Sequence, residues 1–268
     1  MLIGNRKFDV GNRCYIMGIL NVTPDSFSDG GKWIDTDKAL YHTQDMINEG
    51  ADIIDVGGES TRPGHKRITS QEEIDRAIPI IEKLNERFEI PISIDTYKSE
   101  VAEAAINAGA VMVNDVWGLK QDPKMAHVIS KTKASCCLMH NRQEINYKRF
   151  IYDLVSDLRE SVNLALNASI EPEKIILDPG IGFAKTYEMN LEAINRLERI
   201  VDIGYPVLLG ASRKSVIGMT LDLPIDERVE GTLATTVIAV MKSCSFVRVH
   251  DIKETKRAIV MTEAILNV

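Results

Sequence analysis

Short apolar runs rich in β-branched residues recur along the chain at fairly even spacing: Tyr15–Leu20, Asp52–Val56, Ile92–Asp95, Val111–Val113, Ala134–Met139, Ile175–Leu177, Val207–Leu209 and Phe246–Val249. Each is nearly continuous in apolar character, as a strand covered on both faces must be. Between most of them apolar residues fall three and four apart, as in Ile74-Ile78-Ile81-Leu84 and Leu154-Leu158-Val162-Leu166. That is the period of a helix with one buried face. Ser70-Gln71-Glu72-Glu73 has the pattern of a capping box at a helix start, and Gly50, Gly109 and Gly204 fall where helices would close. Eight strand–helix alternations predict an α/β fold, a single (β/α)8 TIM barrel over residues 1–268 forming one domain, with its active site at the C-terminal ends of the strands. A doubly wound open sheet of the dinucleotide-binding kind would carry GxGxxG after the first strand, and that signal is absent.

Polar residues follow the strands with unusual regularity. The first strand runs into Asn21 and a long turn-rich stretch that ends at Gly30-Gly31. The second gives Asp55-Val56-Gly57-Gly58-Glu59-Ser60-Thr61-Arg62-Pro63-Gly64, the third ends in Asp95, the fourth in Asn114-Asp115 and the fifth in Met139-His140. The last three give Asp178-Pro179-Gly180-Ile181-Gly182-Phe183, then Ser212-Arg213-Lys214-Ser215, then Arg248 with His250-Asp251. Any one of these residues has an ordinary reading as a helix cap, a turn or a solvated face. Packing alone favours apolar or small residues, however, and does not put ligand-type groups at seven strand ends in succession. In a barrel these ends converge, which suggests two subsites. One would hold a neutral ring rich in N–H groups against Asp95, Asn114 and Asp178, and the other an anion against Arg62, Lys214, Arg248 and His250.

Composition narrows the classes. A net charge of -7 argues against a general nucleic-acid binder. There is no apolar leader and no apolar run long enough to cross a bilayer, so the expected location is the cytoplasm, with no membrane partner. The four cysteines make no CxxC pair and sit in apolar stretches, so they are expected as buried thiols. No GxSxG elbow surrounds any serine, which counts against a serine hydrolase. A glycosidase built on Asp95 and Asp178 would want more aromatic residues for sugar stacking than the 6% present.

The run Ile19-Leu20-Asn21-Val22-Thr23-Pro24-Asp25-Ser26-Phe27-Ser28-Asp29-Gly30-Gly31, the run Gly57 to Gly64 and the ordered strand-end motifs after them resemble the dihydropteroate synthase family of pterin-binding enzymes over essentially the full length. The resemblance implies a β/α barrel that condenses 6-hydroxymethyl-7,8-dihydropterin pyrophosphate with p-aminobenzoate, giving 7,8-dihydropteroate and pyrophosphate. It assigns the pterin to Asp95, Asn114, Met139, Asp178, Lys214 and Arg248, and the pyrophosphate to Asn21, Thr61, Arg62, Arg248 and His250. Mg2+ is expected near Asn21. The aminobenzoate falls to Phe27, Thr61, Pro63, Phe183, Lys214 and Ser215. Lys214, Arg248 and Asp95 would carry the chemistry, sulfonamides would inhibit, and a homodimer is expected, with Leu233-Val237-Val240-Met241 as one apolar face compatible with it. Residues 141–146 depart from the glycine-containing version common in the family. A pterin-binding methyltransferase acting on a corrinoid protein shares a comparable Asp/Asn/Asp pocket, but would need neither the 21–31 loop nor the Ser212-Arg213-Lys214 run. A pterin- or phosphate-binding barrel without activity is a further alternative.

Overall fold

The computed structural model describes residues 1–22, 32–59 and 67–268, the side chains of 32–35 excepted. The chain opens with an antiparallel hairpin, β1 (Leu2–Ile3) and β2 (Arg6–Lys7). Eight parallel strands follow: β3 (Tyr15–Asn21), β4 (Ile53–Gly57), β5 (Ile92–Asp95), β6 (Met112–Asp115), β7 (Ser135–Met139), β8 (Ile175–Asp178), β9 (Leu208–Leu209) and β10 (Phe246–Val249). The helices between them are α1 (Lys32–Glu49), α2 (Ser70–Arg87), α3 (Ser99–Asn107), α4 (Met125–Thr132), α5 (Phe150–Asn167), α6 (Tyr187–Asn195), α7 (Glu198–Val201), α8 (Ser215–Leu221) and α9 (Val229–Met241). The closing helix is α10 (Ile252–Leu266). The ladder runs β8-β7-β6-β5-β4-β3-β10-β9. A bridge between Leu177 and Val207, with the Leu177 amide donating to the Pro206 carbonyl at 2.9 Å, joins its two ends. The sheet therefore closes into the expected TIM barrel.

The strands differ from the expected runs mainly at their C-terminal ends. Pairing continues through Asn21, Gly57, Asp115 and Asp178, so these polar positions lie on the sheet and not in the loops after it. The N-cap of α2 is Thr69, one residue before the expected box: its hydroxyl takes the Glu72 amide while the Glu72 carboxylate takes the Thr69 amide. Gly50, Gly109 and Gly204 do take left-handed backbone.

Side-chain alternation divides the barrel into an outside and an inside. Ile54, Val56, Ile92, Ile94, Val113, Leu138, Leu177 and Val247 face the helices in the large outer core. Tyr15, Met17, Ile53, Met112, Cys137, Ile176, Leu208 and Phe246 point inward and pack with Ile3 and Phe8 of the N-terminal hairpin. Phe8 meets Tyr15 edge-on at 4.9 Å between ring centres and lies 5.7 Å from Phe246. Each buried aromatic of this kind stabilises by about 1.5–3 kcal/mol. The hairpin thus seals the N-terminal end of the barrel. Asp52, expected at the start of a strand, instead takes the Ile16 amide and the Arg6 guanidinium and clamps the hairpin to the rim. All four cysteines are free and buried, as expected. Among the described residues no helix is long and apolar enough to cross a membrane.

Candidate active site

Two residues further along most of the strands, the inward positions change character. Ile53 gives way to Asp55 and Gly57, Ser93 to Asp95, Met112 to Asn114, Cys137 to Met139, Ile176 to Asp178, Leu208 to Gly210 and Phe246 to Arg248. Register holds them side by side, with Asp95 against Asn114 and Met139 against Asp178. The two glycines keep the space open, since a Cβ at Gly57 would stand 3.3 Å from Asn21 Oδ1 and one at Gly210 would stand 3.4 Å from Asp178 Oδ2.

Arg248 crosses the interior. Its Nε donates to Asp55 Oδ2 at 2.6 Å and an Nη to Asp95 Oδ2 at 2.8 Å, while Asn114 Nδ2 donates to the same Asp55 oxygen at 3.0 Å. The other oxygens of Asp55 and Asp95 are buried and without a partner among the described residues. A buried acceptor left open is costly, and native structures rarely leave one without a reason. Burial pushes the Asp95 carboxyl up to about 7, against the pull of Arg248 and with a further push from Asp55. Burial also raises Asp178, against the pull of Lys214, although Asp178 accepts the Gly180 amide at 2.6 Å. Lys214 is lowered by burial to about 8, opposed by Asp178.

The loop after β8 is held from two sides. Lys214 donates to the Ile181 carbonyl and lies 4.8 Å over the Phe183 ring. From beneath, the buried Lys185 ammonium donates to the Gly180 carbonyl at 2.8 Å, the Phe183 carbonyl at 3.0 Å and His140 Nδ1 at 2.9 Å. With Nδ1 accepting, His140 carries its proton on Nε2 and donates to Asp157 at 3.0 Å. Burial lowers His140 to about 4 and Lys185 to about 7. Gly180 has a φ of +69°, and a Cβ there would fall 2.0 Å from the His140 carbonyl oxygen, so only glycine fits. The divergent 141–146 stretch is tied in by Arg142, which donates to Asp157 at 2.6 Å and stacks 4.3 Å over Tyr147.

The loop after β9 is over-determined in the same way. Arg213 has a φ of +56°, clasps Asp251 with two hydrogen bonds, receives the Arg228 guanidinium on its carbonyl and gives its amide to Thr232. A non-glycine residue in this region costs of order 1–3 kcal/mol unless its surroundings enforce it. The result is that Arg213 is spent on structure while Lys214, next to it, faces inward. His250 is joined to Ser212 through both its ring, at 3.0 Å, and its backbone amide, at 3.2 Å.

A family profile described as pterin binding enzyme matches residues 17–250. The chain is 59% identical over 267 residues to a dihydropteroate synthase of Clostridium beijerinckii, covering 99% of both chains. The chain belongs to the dihydropteroate synthases, within the pterin-binding enzyme family. A crystal structure of the Clostridium difficile dihydropteroate synthase in the presence of pteroic acid superposes with a TM-score of 0.94 at 53% identity, covering 97% of this chain and 99% of that one. A Yersinia pestis dihydropteroate synthase in a sulfonamide drug complex superposes with a TM-score of 0.93 at 38% identity, covering 100% and 99%.

Of the residues that the dihydropteroate synthase resemblance singled out, Asp95, Asn114, Met139, Asp178 and Arg248 share the inward layer, and Asn21 stands at its rim on β3. Lys214, Phe183 and His250 border it from the loops. Ser215 is exposed at the start of α8 and lines an outer cleft with Met219, Asp222 and Arg228. Phe27, Thr61, Arg62 and Pro63 lie outside the described residues. Asp115, next to Asn114, turns outward and accepts the Trp117 and Leu119 amides at 2.9 and 2.8 Å, a turn-forming role. The sequence reading missed the buried Lys185 and named Asp55 at a strand end without giving it a role. Lys185 carried no pattern to betray it, whereas Asp55 was legible through its alternation with Ile53.

Proposed function

We propose that the chain condenses 6-hydroxymethyl-7,8-dihydropterin pyrophosphate with p-aminobenzoate, and that the inward layer holds the pterin. The observation that carries this reading is the buried Oδ1 of Asp95, without a partner among the described residues and set beside Asn114, Asp178, Lys214 and Arg248. A pterin edge offers ring and amino N–H groups, and hydrogen bonds of such groups to carboxylates are each worth about 1.5–3 kcal/mol net. Asp178 and Asn114 extend the same edge, Met139 and Arg248 lie against the ring, and Lys214 donates to it. Asn21 and His250, with Thr61 and Arg62, take the pyrophosphate at the rim. Phe183 and Lys214 border the aminobenzoate, to which the resemblance also assigns Phe27, Thr61, Pro63 and Ser215, and sulfonamides compete there.

The carbon–oxygen bond to pyrophosphate breaks first, leaving a cation on the methylene that the electron-rich pterin delocalises. The aromatic amine then forms the carbon–nitrogen bond and loses a proton. Lys214 and Arg248 stabilise the departing charge, and Asp95 and Asp178 stabilise the ring as it becomes positive. No protein nucleophile is required. The described residues hold no cluster of three His, Cys, Asp or Glu placed for a metal. Asn21, with its amide oxygen at the rim of the site, would hold a Mg2+ together with the pyrophosphate. Such an ion would supply neutralisation of the leaving group.

Residues 1–268 act as one unit, since the N-terminal hairpin seals the barrel and α10 packs on α9. Buried free thiols suit the cytoplasm. The homodimer reading is supported by exposed Ile238 and Met241 on α9 and by exposed Val260, Met261 and Ile265 on α10. Val240, from the expected apolar face, is in the core instead.

Pyrophosphate release from dihydropterin pyrophosphate, Mg2+ and p-aminobenzoate tests the reading. Release at least about tenfold above a Lys214→Ala variant is expected, the scale of one lost charged hydrogen bond. Equal release would overturn it.

A further inference from the structure

Asp55 is wholly buried, and nothing in the proposed reaction uses it directly. In the sheet, β4 is two places from β6 on one side and two from β10 on the other. The bonds from Asp55 to Asn114 and Arg248 therefore cross the barrel interior. One oxygen, Oδ2, takes both donors, Arg248 Nε at 2.6 Å and Asn114 Nδ2 at 3.0 Å.

This has a consequence for each partner. A carboxylate only accepts, so the end of the Asn114 amide turned toward Asp55 must be its NH2. The carbonyl is then presented to the ligand side. Without that anchor the amide could turn over at little cost and offer donors where the ring also has donors. Arg248 is held at two points, by Asp55 and by Asp95. A ring that engages Asp95 competes for one of them, and Asp55 keeps the other.

We infer that Asp55 is a positioning residue of the pterin floor: it turns the Asn114 carbonyl toward the ring and retains Arg248 in place while Asp95 engages the substrate. The inference rests on the pterin reading of the site.

The test is a reciprocal exchange. Asp55→Asn, Asn114→Asp and the double variant are titrated with 6-hydroxymethylpterin by calorimetry, and KM for each substrate is measured. Asp55→Asn is expected to weaken pterin binding about 10- to 100-fold, the cost of losing a charged hydrogen bond. KM for p-aminobenzoate should stay within about twofold, since it docks away from the floor. In the double variant the amide at 55 can donate to the carboxylate at 114 and accept from Arg248. At least about tenfold of the lost affinity should return, the coupling expected of residues sharing one network. A merely structural role would give two additive losses. Asp55→Asn binding like wild type, or a double variant no better than its weaker single, would overturn the inference.

If Asp55→Asn does not fold, wild-type protein labelled with 15N-asparagine decides. One Asn114 Nδ2 proton should exchange slowly in both free and pterin-bound protein; exchange of both at the rate of an exposed amide would overturn the inference. Wild-type protein that binds no 6-hydroxymethylpterin would instead overturn the pterin reading itself.

Discussion

The two halves of the barrel interior are built from the same strands, at the same facing positions, two residues apart. Below are Ile53, Met112, Cys137, Ile176, Leu208 and Phe246; above are Asp55, Asn114, Met139, Asp178, Gly210 and Arg248. Both halves are buried, so burial alone does not distinguish core from site. Satisfaction does. The lower half is closed by a hairpin and leaves little unmet. The upper half contains oxygens of Asp55 and Asp95 that have no partner among the described residues, with that of Ser93 at the boundary. Evolution can leave such acceptors unpaired where a ligand will supply the donors.

The sharpest way to break this comparison is to cut the lower half. Phe246→Ala should destabilise the fold by about 3–5 kcal/mol, from lost transfer energy and the cavity left behind. Urea unfolding would read the loss, and pterin affinity of the remaining folded protein should stay unchanged. A large loss of affinity at equal folded fraction would show that the halves are not separable.

Asp95→Asn should do the reverse. Pterin affinity is expected to fall roughly 10- to 150-fold, from loss of a charged acceptor worth about 1.5–3 kcal/mol. Stability should move the other way. Because burial raises Asp95 from 3.8 to about 7, the folded state holds a proton that the unfolded chain has released across that window, and stability declines as pH rises through it. The variant should therefore melt higher than wild type at pH 8 and lose that decline. A variant that melts lower at pH 8 would mean that the ion pair with Arg248 outweighs burial.

A smaller effect concerns a polar group at the same end that does have partners. His140 is lowered from 6.5 to about 4, so between these values the unfolded chain binds a proton that the folded one does not, and stability falls on acidification. His140→Asn should remove up to about one proton from the slope, or about 1.4 kcal/mol per pH unit. Urea melts between pH 4.5 and 6.5 would show it. An unchanged slope would assign the acid sensitivity to other groups.

The barrel was legible because each strand is apolar on both faces and each helix has a regular period. The terminal hairpin was not, since two-residue strands at Leu2–Ile3 and Arg6–Lys7 carry too few positions for alternation to register. Most of the inward layer could be read from strand ends. Counting every polar residue there admitted Asp115, which faces out, and took in Asp55 without giving it a role, because the glycines and cations after it drew the assignment. Asp157 looked like an ordinary charge on an amphipathic helix, because only the tertiary fold brings β7 and the 180–185 loop to it.

The hairpin plug also governs traffic. With Ile3 and Phe8 packed into the far end, the described residues leave the barrel open at the Asp55–Asp95 end. Whatever rests on the Asp55–Asp95 floor must enter before a second molecule settles above it, and two molecules joined there must leave together. A closed base thereby turns a spatial arrangement into a sequence in time: the deepest guest is the first to arrive.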